Sequence, residues 1–143
     1  MIFWDTSAFV RGYATGEPGY GHVRSLLLQS GDHAASLLLR PEATGAVTRR
    51  FHPDRARVRT VLDLMQEHLR EFVFVGLDPA LAATASRLAS VHRLRGADAV
   101  HLASALTLRR EIGRRGFHFV TADHEQAAAG RSEGLRVVVP RPG

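Results

Sequence analysis

Four acids stand at positions from which a chain can do chemistry: Asp5, Glu42, Asp98 and Asp123. Asp5 ends the apolar run Ile2-Phe3-Trp4 and precedes Thr6 and Ser7, while Asp123 ends the apolar run of residues 117–120 after Thr121 and Ala122. Short apolar runs of this kind read as buried strands. Both acids then lie at the carboxyl ends of strands, where open parallel sheets bind their ligands. Glu42 and Asp98 open helices. Asp98 follows Arg95 and Gly96 and begins a segment in which Ala99, Leu102, Ala103 and Leu106 recur at the spacing of one helical face, widened by Val100 and Ala105. A carboxylate in that first turn meets two opposed effects. Burial raises its pKa, and the helix N-terminus lowers it. Burying it singly is costly, so a paired cation, a hydrogen-bond cage or a metal is expected around it. The plain alternative for each acid is a helix cap or a solvated first-turn residue, and Asp123 with Gln126 has capping-box spacing.

In a parallel α/β sheet, strand ends and helix starts share one rim. Four carboxylates gathered there repel one another and need a counter-charge. Arg95, Arg93 and Arg40 lie near in sequence, but none has the setting of a buried cation. A hard divalent cation, Mg²⁺ or Mn²⁺, fits this gap. It takes one or two carboxylates directly, keeps several waters and completes its shell with substrate phosphate. The chemistry that follows is metal-assisted hydrolysis of a phosphodiester.

The elements that must position these acids alternate along the chain. After the first strand, residues 12–21 are a Gly-rich loop containing Pro18, and residues 22–28 form a helix ended near Gly31. A short strand at 33–36 follows. Residues 37–50 read as a helix that tolerates Pro41 only in its first turn, which makes 37–40 an extended lead-in and places Glu42 near the helix start. Ala43, Ala46 and Val47 give it an apolar face. Pro53 and Asp54 open a helix over 55–69, with Val58, Val61, Leu62, Met65 and Leu69 on one side and Arg55, Arg57 and Arg59 as a solvated face. Residues 72–75 are a third strand. Asp78 and Pro79 start a helix as cap and first residue, with the stripe Leu81, Thr84, Ala85, Leu88 and Val91. The Asp98 helix, a strand at 117–120 and a strand at 135–139 closed by Pro140 complete the chain. This alternation predicts an α/β fold: a parallel sheet of four to five strands flanked by helices on both faces.

With 143 residues, 45% of them hydrophobic and 23% charged, the chain has the size and balance of one soluble globular domain. No apolar run approaches the ~18–20 residues of a membrane span. Met1-Ile2-Phe3-Trp4-Asp5 lacks the basic and apolar regions of a signal peptide, so none is expected. The absence of cysteine excludes disulfides, zinc–thiolate sites and thiol catalysis, and fits a cytoplasmic location. All 19 basic residues are Arg, and the formal charge is +5. Guanidinium groups suit phosphate, which makes a polyanionic partner plausible; codon bias is the competing reason for an Arg-rich chain. The lack of Lys argues against a phospho-accepting receiver domain, whose chemistry uses a Lys amine. A ribonuclease working with a His pair needs no metal, but none of the eight His forms a persuasive pair.

Taken together, Ile2 to Ala8, the helix start at Glu42, residues 95–106 and Phe119 to Asp123 resemble a PIN domain. The single-domain length and the order of these segments are similar to the VapC toxin ribonucleases of toxin–antitoxin modules. The resemblance runs from Met1 to about Val139. It implies a single PIN-like domain over residues 1–143, with Asp5, Glu42, Asp98 and Asp123 as the catalytic pocket that holds Mg²⁺ or Mn²⁺. It further implies that Thr6 or Ser7, and Thr121, hydrogen-bond the acids or metal waters. The implied activity is endoribonuclease cleavage of structured RNA such as tRNA or rRNA. The implied partners are a second copy in a homodimer and a cognate VapB-like antitoxin whose tail occludes the site. Pro41 and Gly45 around Glu42 depart from the family's usual smooth helix. His101, one turn from Asp98, and His124, beside Asp123, read as structural within the pattern. The alternative from another class is a non-catalytic RNA- or protein-binding module on a degenerate PIN fold, against which the four acids stand.

Overall fold

The apolar runs become a parallel sheet because each is followed by a helix long enough to carry the chain back across it. A computed structural model describes residues 1–143. The strands are β1 (Ile2–Trp4), β2 (His33–Ser36), β3 (Val73–Val75), β4 (His118–Val120) and β5 (Arg136–Val138). They form one parallel sheet in the order β3-β2-β1-β4-β5. The helices are α1 (Thr6–Phe9), α2 (Tyr20–Leu27), α3 (Leu39–Phe51), α4 (Arg55–Leu69), α5 (Pro79–His92), α6 (Gly96–Ile112) and α7 (His124–Ser132), with a 3₁₀ turn over Val10–Tyr13.

Strand β1 is central and wholly buried, as a strand covered on both faces must be. Its side chains alternate between two cores. Ile2 and Trp4 pack with Phe9, Leu39, Val47 and Met65 under α1 to α4. Phe3 packs with Leu88, Leu102, Phe119 and Ala129 under α5 to α7. From β1 the chain moves outward to β2 and β3, then returns to the other side of β1 as β4. The direction reverses between β1 and β4. Their carboxyl ends open the crevice in which such sheets place ligands, and there Asp5 and Asp123 follow the strands.

The expected helix 55–69 is α4, and Asp78 caps α5 with its side chain accepting from the Leu81 N–H at 2.8 Å. Three expectations need correction. Residues 37–40 are not an extended lead-in: α3 begins at Leu39, and Pro41 is its third residue, where no intrahelical N–H is required. The first such bond runs from the Glu42 N–H to the Leu38 carbonyl. The 12–21 loop is shorter than expected, because the 3₁₀ turn and α2 enter it from both ends. Val91 does not join the buried stripe of α5 but faces solvent. No helix is long and apolar enough to cross a membrane.

A polar tie joins α5 to the end of α7. Glu133 accepts from Arg87 at 3.2 Å and pairs with His92 Nε2 at 2.7 Å. The hydrogen bond from His92 holds the Glu133 carboxyl below its ordinary value, against burial and with help from Arg87. A depressed carboxyl pKa stabilises the fold above the unfolded-state value and is lost as pH falls through the folded one. Glu133→Gln is therefore expected to cost stability above pH 4.5, and the gap to wild type should close in more acidic solution. Urea titrations across pH read this directly, and a pH-independent gap would contradict it. Leu102→Ala, in the middle of α6, should cost about 2–5 kcal/mol through transfer and cavity effects. The unfolding midpoint reports it, with the slope unchanged.

Candidate active site

The acids are brought together by backbone geometry first. The Asp5 N–H donates to the Val120 carbonyl at 2.9 Å, locking the end of β1 to the end of β4. Asp5 is also the N-cap of α1, so its carboxylate turns back over the strand ends. It is 2% exposed. Burial at that depth demands partners, and Asp5 has them. Its Oδ2 accepts from the Ser7 N–H at 3.1 Å, from the Ser7 hydroxyl, and from the Thr121 hydroxyl at 3.2 Å. Its Oδ1 accepts from Gln126 Nε2 at 3.2 Å. Ser7 Oγ in turn accepts from the Ala122 N–H, and Thr121 Oγ1 from the Asp123 N–H.

Asp98 occupies the first turn of α6, whose N-cap, Arg95, offers no side-chain cap bond. Half-buried, its carboxyl is held above the usual carboxylate range. Burial is the main cause, followed by the charges of Asp5 and Asp123, with Glu42 adding to them and His101 opposing. Glu42, in the first turn of α3, is reached across the site by α1 and α6. Its Oε1 accepts from the Thr6 hydroxyl at 2.9 Å and pairs with His101 Nε2 at 2.5 Å. The His101 hydrogen bond holds the Glu42 carboxyl below its ordinary range, against burial and assisted by the charge of His101 and the Thr6 bond.

Asp5, Glu42 and Asp98 line one open cavity of about 440 Å³ with Thr6, Ser7 and His101, and Arg49 of α3 reaches it from the side. Asp123 stands on its flank. It does not line the cavity, but its field reaches Asp98, and its Oδ1 accepts from the Gln126 N–H at 3.0 Å as the cap of α7. His124 is exposed and does not line the cavity. Arg40 lies away from the acids, over the Phe74 ring and donating to Gln66.

Three functional side chains were missed or under-read in the sequence. Gln126 has the spacing of a capping box, but its side chain does not return to the backbone of Asp123. It turns inward, and Nε2 donates to Asp5 and to the Asp98 carbonyl at 3.0 Å, tying β1 to α6. His101, which the sequence reads as structural, is a buried ring that faces the acids. Burial disfavours its charge, but the Glu42 hydrogen bond and the fields of Asp5, Glu42 and Asp98 outweigh burial and raise its pKa. It is 1% exposed, and its Nδ1 has no hydrogen-bond partner and lies 3.9 Å from Asp5 Oδ1. Arg49 gave no signal beyond its place two turns after Glu42.

The donor set facing the cavity is carboxylate and hydroxyl oxygen with the one imidazole of His101 and no sulfur ligand, and Asp98 is raised by burial and by like charges that a cation would relieve. These residues fit a hard divalent ion. No three of the His, Cys, Asp and Glu side chains are grouped closely enough to hold a metal ion between them.

Fold and site together define a class: small α/β proteins with an acidic pocket at the switch point of a five-stranded parallel sheet. The family model of the PIN domain matches residues 2–132, and the chain belongs to that family. Among solved structures, it is similar to FitAcB from Neisseria gonorrhoeae, with a TM-score of 0.72, 19% identity and 98% of each chain covered. It is also similar to VapC20 from Mycobacterium tuberculosis, described as a sarcin–ricin loop cleaving toxin, with a TM-score of 0.70, 17% identity, and 98% of this chain and 100% of that one covered. A toxin–antitoxin complex from Klebsiella pneumoniae contains a third similar chain, with a TM-score of 0.68, 18% identity and 100% of each chain covered. No curated protein sequence matches.

Gln126→Leu keeps the shape of the buried side chain while removing its bonds to Asp5 and the Asp98 carbonyl. Hydrogen bonds to charged groups make the expected loss about 2–3 kcal/mol in a urea titration. An unchanged midpoint would mean that Asp5 is held without it.

Proposed function

We propose that this protein is a metal-dependent endoribonuclease of the VapC toxin type. The observation that carries the reading is the meeting of Asp5, Glu42 and Asp98 in one open cavity at the carboxyl rim of the sheet. Asp5 and Asp98 hold Mg²⁺ or Mn²⁺, joined by Glu42, and Asp123 adds negative potential from the flank. When bound, the ion activates a water toward the phosphodiester and steadies the leaving oxygen.

The chain's own residues prepare that chemistry. Ser7, Thr121 and Gln126 fix Asp5 in one rotamer, so no reorganisation is needed as charge develops. Thr6 and His101 hold the Glu42 carboxylate at the cavity wall, where it would be a further oxygen ligand or proton acceptor beside a bound ion. Arg49 offers a guanidinium to a phosphate entering from the side of α3. The wider excess of Arg attracts the RNA backbone, giving affinity that falls with salt.

The substrate class is structured RNA such as tRNA or rRNA, supported by the likeness to a relative described as cleaving the sarcin–ricin loop. The likeness to a chain solved in a toxin–antitoxin complex supports a cognate VapB-like antitoxin that covers the rim and silences the site. Exposed Leu37, Val73 and Leu77 supply apolar area beside edge strand β3 for a partner, and the active form is a homodimer. The cysteine-free chain works in the cytoplasm.

Purified protein incubated with small cellular RNA should cut it in Mg²⁺ or Mn²⁺ and leave 5′-phosphate ends. Excess EDTA and the Asp98→Asn substitution should each abolish the cuts. Cuts that survive both, from contaminant-free protein, would remove the metal from the mechanism. Binding without cleavage by the folded wild type would make the chain a non-catalytic RNA-binding module.

A further inference from the structure

Five of the nineteen arginines gather at the pole opposite the acids. The last turn of α6 carries Arg109 and Arg110. The turn from α6 to β4 carries Arg114 and Arg115 between Gly113 and Gly116, whose positive φ angles of 95° and 68° let the chain reverse there. Strand β5 opens with Arg136. Arg109, Arg114, Arg115 and Arg136 line one cavity of about 360 Å³ with Phe117 and Gly134, and no acidic side chain lines it.

The cradle is partly fixed. Arg109 Nη1 donates to the Gly134 carbonyl at 2.7 Å and Nη2 to the Glu133 carbonyl at 3.4 Å. The nearby Glu133 carboxylate is engaged with Arg87 and His92. Burial and the charge of Arg114 hold the Arg109 guanidinium below its ordinary pKa, despite an opposing pull from Glu133. Like charges crowded around an acid-free cavity make a place for an anion. Arg114, Arg115 and Arg136 are exposed and free to fork onto phosphate oxygens. Phe117, the one aromatic residue in the lining, is 2% exposed and stacks on Phe3. It offers no face to a base, so the cavity suits a backbone and not a sequence.

We propose that this arginine cradle is a second contact for RNA, binding the phosphodiester backbone of a substrate that extends beyond the acidic pocket. The inference rests on RNA as the ligand of the acidic pocket and adds what holds its distal part. Along α6, Asp98 and Arg109 are separated by roughly 16 Å at the usual helical rise, and a path over the surface is longer. A tetranucleotide bound at the acids does not reach the cradle, whereas a long stem-loop does. The structure thereby assigns a preference for long, folded RNA over short fragments to residues remote from the pocket.

The test measures equilibrium binding by fluorescence anisotropy in an Asp98→Asn background, so that cleavage plays no part. Arg114→Gln with Arg115→Gln should weaken binding of a labelled stem-loop about tenfold and lower the slope of log affinity against log salt by about two. Affinity for a tetranucleotide should stay as in the parent. Arg55→Gln with Arg59→Gln, which removes the same charge from α4, should leave stem-loop affinity close to the parent's. Unchanged stem-loop affinity in the first pair, equal losses in both pairs, or no stem-loop binding by the parent would each overturn the cradle. Cleavage of the same stem-loop by the wild type, run alongside, reports separately on the nuclease reading.

Discussion

The structure of this site depends on one buried carboxylate. Asp5 ends the central strand with almost no exposure, and every oxygen it presents is met by a donor from a different part of the chain. Ser7 belongs to the helix that Asp5 caps, Thr121 to the end of β4, and Gln126 to α7. Because Gln126 also holds the Asp98 carbonyl, the same network reaches the start of α6. A carboxylate in a low-dielectric setting is tolerated only with such a cage, and the cage in turn fixes four elements relative to one another. The position of Asp5 and of the start of α6 is therefore a consequence of keeping the Asp5 oxygens satisfied.

The remaining charges are divided by side. Below the cavity, His101 pairs with Glu42 and lies near Asp5, and their fields favour its charged form against burial. Above it, the cavity is open, and Asp98 has no partner of opposite sign within hydrogen-bonding distance. Compensation is thus built in on the buried side and left to an incoming cation or substrate on the exposed side. The two short helices' worth of chain between Asp5 and α3 matter here, because Thr6 links α1 to Glu42 and shares the His101 contact.

Helix α6 organises the polarity of the whole molecule. Its first turn holds Asp98 and its last turn holds Arg109 and Arg110, the arrangement that the helix macrodipole favours at each end. Between them, eight of its residues are buried, so the helix is a rigid rod fixed through the core. Asp98 and the pair Arg109 and Arg110 are thereby held at opposite ends of one helix. The basic side chains that line the acidic pocket are Arg49 and His101.

Much of this was legible in the sequence. The apolar runs, the Asp54 and Asp78 caps and the periodicity of α6 are local signals, and each produced the expected element within a residue or two. Asp5 and Asp123 were placed at strand ends because a strand's end is a local property as well. Strand order was not local: the reversal between β1 and β4 arises from which neighbours bury Phe3 and Trp4, and only that reversal makes two distant strand ends share a crevice. The inward turn of Gln126 was hidden because its spacing to Asp123 serves a cap equally well, and the choice was made by an unsatisfied oxygen on Asp5, far away in sequence. His101 looked like a core residue and is one; its pairing with Glu42 exists only once α3 brings that carboxylate to its ring. Asp123 shows the limit from the other direction, since its capping role was written in the sequence while its place at the flank of the cavity was set by how α7 packs. Composition and periodicity determined the elements and the residue types at their ends, because hydrophobic burial acts along short stretches of chain. The tertiary structure decided which of those ends meet and which polar atoms are left to satisfy one another, because buried charges find their partners in space and not in sequence.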